Sequence, residues 1–325
     1  MELQIQKETI NVKKRIGEKN KKVLIEKDYI LPDSKPDIIK IQAENSLPYI
    51  RKKEIMENKI KIEGGFETRI SYITSEGKNR VLKISEELAE IIDIEGINQE
   101  TNTIEKIVIK QIETSILNER KIHYKLEAEI QITAARKENI ELIYEINKTH
   151  NIETLCKKVN IDTYIGHSES KMSVKEKMET ENIQDGIEVV KFKPQIENIE
   201  TKISYNKILV KADCKIKCIY QSKTGSTYIA QKEIPIMGFL DIENIDEECE
   251  SNIEITLKNL NINESPVNKN EIEIEMEFNL SGDIYQKKEI NMMVDLYGIN
   301  YKTNFKNQIV YLEKSKPQTL RKIEI

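Results

Sequence analysis

The sequence predicts an all-β protein: two tandem antiparallel β-sandwich domains related by internal duplication. Three observations carry that prediction. The stretch NKIKIEGGFETRISYITSEGK from Asn58 returns from Asn206 as NKILVKADCKIKCIYQSKTGS. Ile60, Tyr72 and Gly77 meet Ile208, Tyr220 and Gly225 at an offset of 148, and IDIEGI (Ile92–Ile97) meets LDIENI (Leu240–Ile245) at the same offset. An ungapped match of this length marks two copies of one fold rather than a short solenoid unit. The second observation is period-two alternation: Ile122, Tyr124, Leu126, Ala128, Ile130 and Ile132 share one strand face, as do Ile272, Ile274, Met276, Phe278 and Leu280. The third is turn chemistry, with Ser75-Glu-Gly-Lys and Lys223-Thr-Gly-Ser set between alternating runs as hairpin turns. Half-buried strands joined by such turns pack as antiparallel sheets face to face.

Each element follows in order. Leu31-Pro-Asp-Ser-Lys-Pro-Asp-Ile38 excludes helix, because two prolines fix φ and each Asp can close a turn onto a nearby amide. It reads either as a rigid corner entering a strand at Ile39 and Ile41 or as a preordered recognition loop, with Pro32, Asp33, Pro36 and Asp37 as the candidate protein-interaction residues. Copy two has Glu181-Asn-Ile-Gln-Asp-Gly186 there and keeps only Asp185. Gly64-Gly65 interrupts a strand pattern and reads as a bulge. Ser85-Glu-Glu-Leu-Ala-Glu resembles a helix capping box, yet its counterpart Ile234-Pro-Ile-Met-Gly-Phe would break a helix, so both are read as extended. Ile104–Leu117 is read as a strand for the same reason, its partner alternating at Ile253, Ile255 and Leu257. A weaker repeat relates Asn58-Lys-Ile-Lys-Ile to Arg120-Lys-Ile-His-Tyr, which would build each sandwich from two related halves.

The predicted boundaries are 1–149 for copy one, 150–297 for copy two and 298–325 for a C-terminal strand and tail. The junction lies near Asn147–Thr163, with Ile16-Gly17 and Tyr164-Ile-Gly expected just ahead of each copy's first strand. The tail offers one strand, Ile309–Leu312, then a Lys-rich stretch with Pro317. It is either a closing strand or the start of a lost third copy. Units of this length bury enough surface to fold on their own.

Composition narrows the function classes. Charged residues make up 33% against 38% hydrophobic, and 51 basic residues nearly balance 56 acidic ones for a net charge of −5. Lys and Glu interleave along the strands, so no basic stripe suited to nucleic acid forms. The N-terminus has no apolar core of a secretory signal and no run reaches a membrane span, so a cytoplasmic protein is expected. Four cysteines are too few for a disulfide scaffold.

Chemistry-bearing constellations are sparse. Cys214 and Cys218 share a strand face and match Phe66 and Ile70 of copy one, which points to core packing rather than metal. Cys249, in a charged loop, and Cys156, in the linker, are expected to be reachable thiols without an activating partner. His123 lies on the charged face of a strand and matches Glu271 of the other copy, His150 lies in the linker, and His167 beside Gly166. None falls in a catalytic frame. The acidic run Asp241–Glu250 lacks the pattern of a calcium loop and reads as solvated. No catalytic, metal or cofactor residues are assigned, and no cofactor is expected.

LPDSKPDI, the segment NKIKIEGGFETRISYI (Asn58–Ile73) and the later IDIEGI resemble the SPOCS domain, first known as a domain of unknown function in spore-forming clostridia and found in SipL-like proteins. The resemblance covers two copies, about residues 1–147 and 150–297. It implies a sporulation role in the mother cell, at the forespore surface, with no catalytic residues. Its implied partner is the coat-basement ATPase or another coat protein. SipL-like proteins also carry a LysM domain tied to ATPase binding, and no LysM-like helix pair precedes Ile325.

The leading expectation is therefore a non-enzymatic scaffold or adaptor presenting sheet edges or end loops to a protein partner. The alternative is a cell-envelope or glycan-binding module, against which the absence of Trp and the presence of only 5 Phe weigh. An enzyme would need a site between the two copies.

Overall fold

The computed structural model describes residues 5–146, 152–181, 183, 186–222, 225–265, 267–298, 306–312 and 318–324. Every regular element among them is a strand. Copy one supplies β1 (Ile5–Ile30), β2 (Ile38–Met56), β3 (Lys59–Thr74), β4 (Asn79–Asp93), β5 (Asn102–Asn118) and β6 (Lys121–Ile146). Copy two supplies β7 (Ile152–Glu179), β8 (Ile187–Ser204), β9 (Lys207–Ser222), β10 (Thr227–Asp241), β11 (Cys249–Glu264) and β12 (Glu271–Gly298). No helix of the described residues is long and apolar enough to cross a membrane.

Each copy pairs two antiparallel three-stranded sheets, in the orders β1-β6-β5 and β2-β3-β4, repeated as β7-β12-β11 and β8-β9-β10. The all-β sandwich prediction holds. The two segments read as an internal repeat, beginning at Asn58 and Arg120, open β3 and β6, the central strands of the two layers. Pro48, Pro194 and Pro235 all sit on flanking strands, which tolerate a missing N–H better than a central strand does.

The alternating residues fill two cores. Phe66, Tyr72, Tyr124 and Leu126 are sealed between the sheets of copy one; Phe192, Tyr220, Phe278 and Leu280 do the same in copy two. Each such side chain stabilises by roughly 1.5–3 kcal/mol on burial. Tyr72 and Tyr220 keep a polar tip at the rim: Tyr72 Oη donates to the Pro36 carbonyl (3.1 Å), and Tyr220 Oη accepts from the Glu181 amide (2.9 Å). The repeated tyrosine therefore fastens the segment entering β2 or β8 to the central strand.

The repeated Asn and the IDIEGI motif are also one device. Asn58 and Asn206 stand at φ 57° in the tight turns before β3 and β9. Their Oδ1 atoms accept from the amides of Gly96 (2.7 Å) and Asn244 (2.8 Å), which themselves have positive φ. Asn tolerates this left-handed backbone because its short polar side chain bonds locally.

Several expectations are corrected. Ile16-Gly17 and Ile165-Gly166 do not precede the first strands; they lie inside β1 and β7, where Ile16 and Ile165 are each the extra residue of a bulge. Beyond the bulge, β1 and β6 continue as a two-stranded arm, and β7 and β12 do likewise. Ile10, Val12, Ile140 and Leu142 of one arm pack on Ile161, Ile290 and Met292 of the other. Gly64-Gly65 is not itself bulged: the extra residue is Arg51 on the facing strand β2. A Cβ on Gly64 would come within 2.1 Å of the Tyr49 carbonyl oxygen, and one on Gly65 within 2.2 Å of the Glu86 carbonyl oxygen. The glycines admit neighbouring backbone. Cys156 lies in β7, with its Sγ 3.4 Å from the Tyr144 carbonyl oxygen, and Cys249 is buried in the copy-two core rather than exposed. The tail forms two strands, β13 (Lys306–Leu312) and β14 (Gln318–Glu324), paired as a hairpin, where one was expected. His150, Asp185, Lys223, Thr224 and Pro317 lie outside the described residues.

Candidate functional site

The proline–aspartate corner is cinched around a residue that sequence reasoning passed over. Arg120, in the turn between β5 and β6, donates through Nη1 to the Lys35 carbonyl (2.6 Å) and Asp37 Oδ1 (3.0 Å). Through Nη2 it donates to the carbonyls of Leu31 (3.1 Å) and Pro32 (3.0 Å). The Leu31 amide returns a bond to the Arg120 carbonyl, and the Lys35 amide closes a turn on the Pro32 carbonyl. A planar guanidinium with several fixed donors suits a corner whose prolines offer carbonyls but no N–H. The signal available in the sequence was a lone Arg in a turn; in copy two Asn270 holds its place, its carbonyl taking the Thr180 amide as the Arg120 carbonyl takes that of Leu31, and its Oδ1 accepting from the Ile183 amide (2.9 Å).

The corner does not hang free at the sandwich end. Pro32, Asp33 and Ser34 are exposed, but Lys35 reaches into copy two and meets Glu188 Oε1 at 2.8 Å. The other carboxylate oxygen of Glu188 accepts from the Val81 amide at 2.6 Å, satisfying an edge donor of β4. Between the corner and the β3–β4 turn lies an open cavity of about 810 Å³, lined by Asp33, Lys35, Asp37, Lys78, Arg80 and Arg120 among others. Its charges are mixed: Lys78 pairs with Glu76 (2.7 Å), and Tyr72, beneath it, has its phenol pushed up to about 12 by burial. The arrangement can recognise a polar segment carrying both signs of charge.

A second cluster joins the copies. Asp283 on β12 accepts from Lys13 Nζ of β1 (2.5 Å) and from Tyr164 Oη (3.0 Å), and lies 3.0 Å from His167 Nδ1. His167 Nε2 lies 3.2 Å from Glu169, which also takes Lys53 of β2 at 2.7 Å; Lys53 stands 3.4 Å from Glu105 of β5. Burial alone would push His167 down, but hydrogen bonding and charge from Asp283 and Glu169 outweigh it, and its pKa is raised. Burial would raise Glu169 and Asp283, yet His167 and the lysines hold both low, Glu169 at about 2. Expected as an idle residue beside Gly166, His167 is the hinge of this network. It was illegible because Asp283, which fixes it from the facing strand, lies more than a hundred residues away, and its near partner Glu169 is drawn in by Lys53 of the other copy.

The interface extends across β3. Arg69, paired with Glu67, donates to the Val189 (3.2 Å) and Ile262 (2.9 Å) carbonyls, capping the edges of β8 and β11. Ser71 donates to Gln221 (3.1 Å) and Asn79 to the Gly225 carbonyl (3.0 Å). A smaller cavity of about 160 Å³ lies between β2, β5 and β11 beside Tyr49, Glu105 and Lys258, and burial holds the Lys258 ammonium below the usual lysine range. Among the described residues no group of three or more His, Cys, Asp or Glu is arranged to hold a metal ion. Cys214 and Cys218 are core residues, their thiols pushed up by burial to about 11 and about 12. His123 faces solvent and pairs with Asp28 (2.8 Å) and Glu26 (3.2 Å).

Residues 185–265 match the family model described as SipL, SPOCS domain. No curated protein and no solved structure matches the chain. The SPOCS segment spans β8 to β11, in the copy without the proline–aspartate corner. Residues 185–265 are thus SipL-like, and the PDSKPD motif lies outside the match.

Proposed function

We propose that this chain is a sporulation protein that acts as a non-enzymatic scaffold or adaptor in spore coat or envelope assembly, at the forespore surface in the mother-cell cytoplasm. The SPOCS match over residues 185–265 carries the reading. The surface supports it: charges of both signs interleave, which suits selective protein contacts better than a single-sign ligand. The docking element is the corner of Pro32, Asp33, Pro36 and Asp37 with the cavity beside it, because Arg120 holds the loop in one shape before any partner arrives. Preorganisation of this kind lowers the ordering cost of binding. The partner is a protein, the coat-basement ATPase or another coat protein.

Affinity purification of the tagged chain from sporulating cells, with growing cells as control, tests this. Coat-basement proteins recovered only from sporulating cells are expected, and Arg120→Ala should reduce that recovery without unfolding the chain. Equal expression in growing cells with no coat partner would remove the sporulation assignment.

A further inference from the structure

The surface by which copy one meets copy two has an uncovered equivalent on copy two. Glu67, Arg69, Ser71, Asn79 and Val81 on the outer face of β3 and β4 are buried under copy two. Their counterparts 148 residues on are Lys215, Lys217, Ile219, Thr227 and Ile229. Four of those are exposed, Ile229 by 59%, and Ile219 is half-buried. The covering surface is likewise duplicated. Glu188, Val189, Gln221 and Gly225 of copy two correspond to Lys40, Ile41, Ile73 and Gly77 of copy one, and Lys40 is exposed with Ile73 half-buried.

We propose that a second copy of this chain docks its Lys40–Ile73–Gly77 surface on the open Lys217–Ile219–Ile229 face, so that chains associate head to tail by repeating the internal contact. Two of the paired positions are complementary. Where Ser71 donates to Gln221, two polar groups, the repeated contact sets Ile219 against Ile73, two apolar ones. Thr227 takes the place of Asn79 and can donate to the Gly77 carbonyl. Lys217 takes the place of Arg69, which caps edge-strand carbonyls. Two positions are mismatched: Lys215 stands where Glu67 pairs with Arg69, setting two lysines side by side, and Lys40 stands where Glu188 accepts the Val81 amide, leaving the Ile229 amide without that acceptor. The association is therefore weak, and because front and back are different surfaces each chain added leaves one of each open for the next, until a rotation brings the ends together.

Sedimentation and light scattering of the full chain over a range of concentrations test this. The expected result is a mass rising in steps of one chain, lost in Ile229→Glu and in Ile73→Lys. Lys40→Glu restores the acceptor and should tighten association ~10-fold or more. Mixing Ile229→Glu chains with Ile73→Lys chains should give pairs and nothing longer, since each variant keeps one working surface. Lys217→Glu, at an exposed position, repeats the front-face test should Ile229→Glu fail to fold. A chain that stays monomeric both as wild type and as Lys40→Glu overturns the proposal, as does association that ignores all the substitutions.

Discussion

Replacing Asp283 with Ala should loosen the two copies from each other. Asp283 and Lys13 are 4% and 8% exposed, from different copies, and Asp283 also receives Tyr164 and sits against His167. Removing the carboxylate leaves the Lys13 ammonium buried without that acceptor, and breaking a buried pair from one side costs about 3–5 kcal/mol. At about 2 °C per kcal/mol for a chain this long, the melting midpoint should fall by about 6–10 °C. Asp283→Asn, which keeps an acceptor oxygen, should lose less. Lys13→Met with Asp283→Leu should recover part of the loss, because a packed apolar pair replaces two desolvated charges while Tyr164 and His167 still lose their acceptor. Urea and thermal unfolding followed by circular dichroism measure these three variants, the singles Lys13→Met and Asp283→Leu, and a control. The control is Glu141→Gln, whose partner Lys7 and own side chain are 50% and 57% exposed; it should change stability by about 0–1 kcal/mol. If Asp283→Ala costs no more than that control, or if the double variant merely sums the singles, the network does not join the copies as argued.

Further outcomes follow from the same geometry. His167 has a raised pKa in the folded state, so its contribution is fully present below its unfolded value of about 6.5 and is lost as pH rises through the folded pKa. Glu169 and Asp283 are lowered, so theirs is present above about pH 4 and lost as pH falls through their folded values. Stability against pH should therefore be greatest between about 4.5 and 6.5, and His167→Gln should flatten the alkaline limb of a melting-temperature profile. Gly64→Ala should destabilise by about 1–3 kcal/mol in a denaturant titration, because its Cβ meets backbone that cannot step aside. Asn58→Ala should cost about 1–2 kcal/mol and Asn58→Gly markedly less, since glycine keeps the φ of 57° while losing only the Gly96 bond. In timed alkylation of the native protein at pH 8, Cys156 should react first and Cys214 and Cys218 only on unfolding, because burial raises their thiols.

The strands, their faces and the duplication were legible in the sequence, since alternation and turn chemistry are local and a repeat of 148 needs only the chain itself. Reading the copies against each other placed Ser85–Glu90 and Ile104–Leu117 in strands β4 and β5, which local pattern alone left open. The motif Ile92–Ile97 and Asn58 were visible as repeated residues; their bond to each other was not, because it spans β3 and β4. Gly64-Gly65 was misread as a bulge because glycine signals close approach and irregular backbone alike, and only the position of β2 distinguishes them. Cys249 looked exposed from its acidic neighbours, yet the start of β11 turns it inward. What tertiary structure alone decided is how the copies meet. Arg69, Glu188, Lys13, His167 and Asp283 each read as one more charge on a strand of alternating charge. Charge interleaving makes every such residue look solvated, and it is the stacking of one sandwich on another that withdraws these few from water and gives them partners.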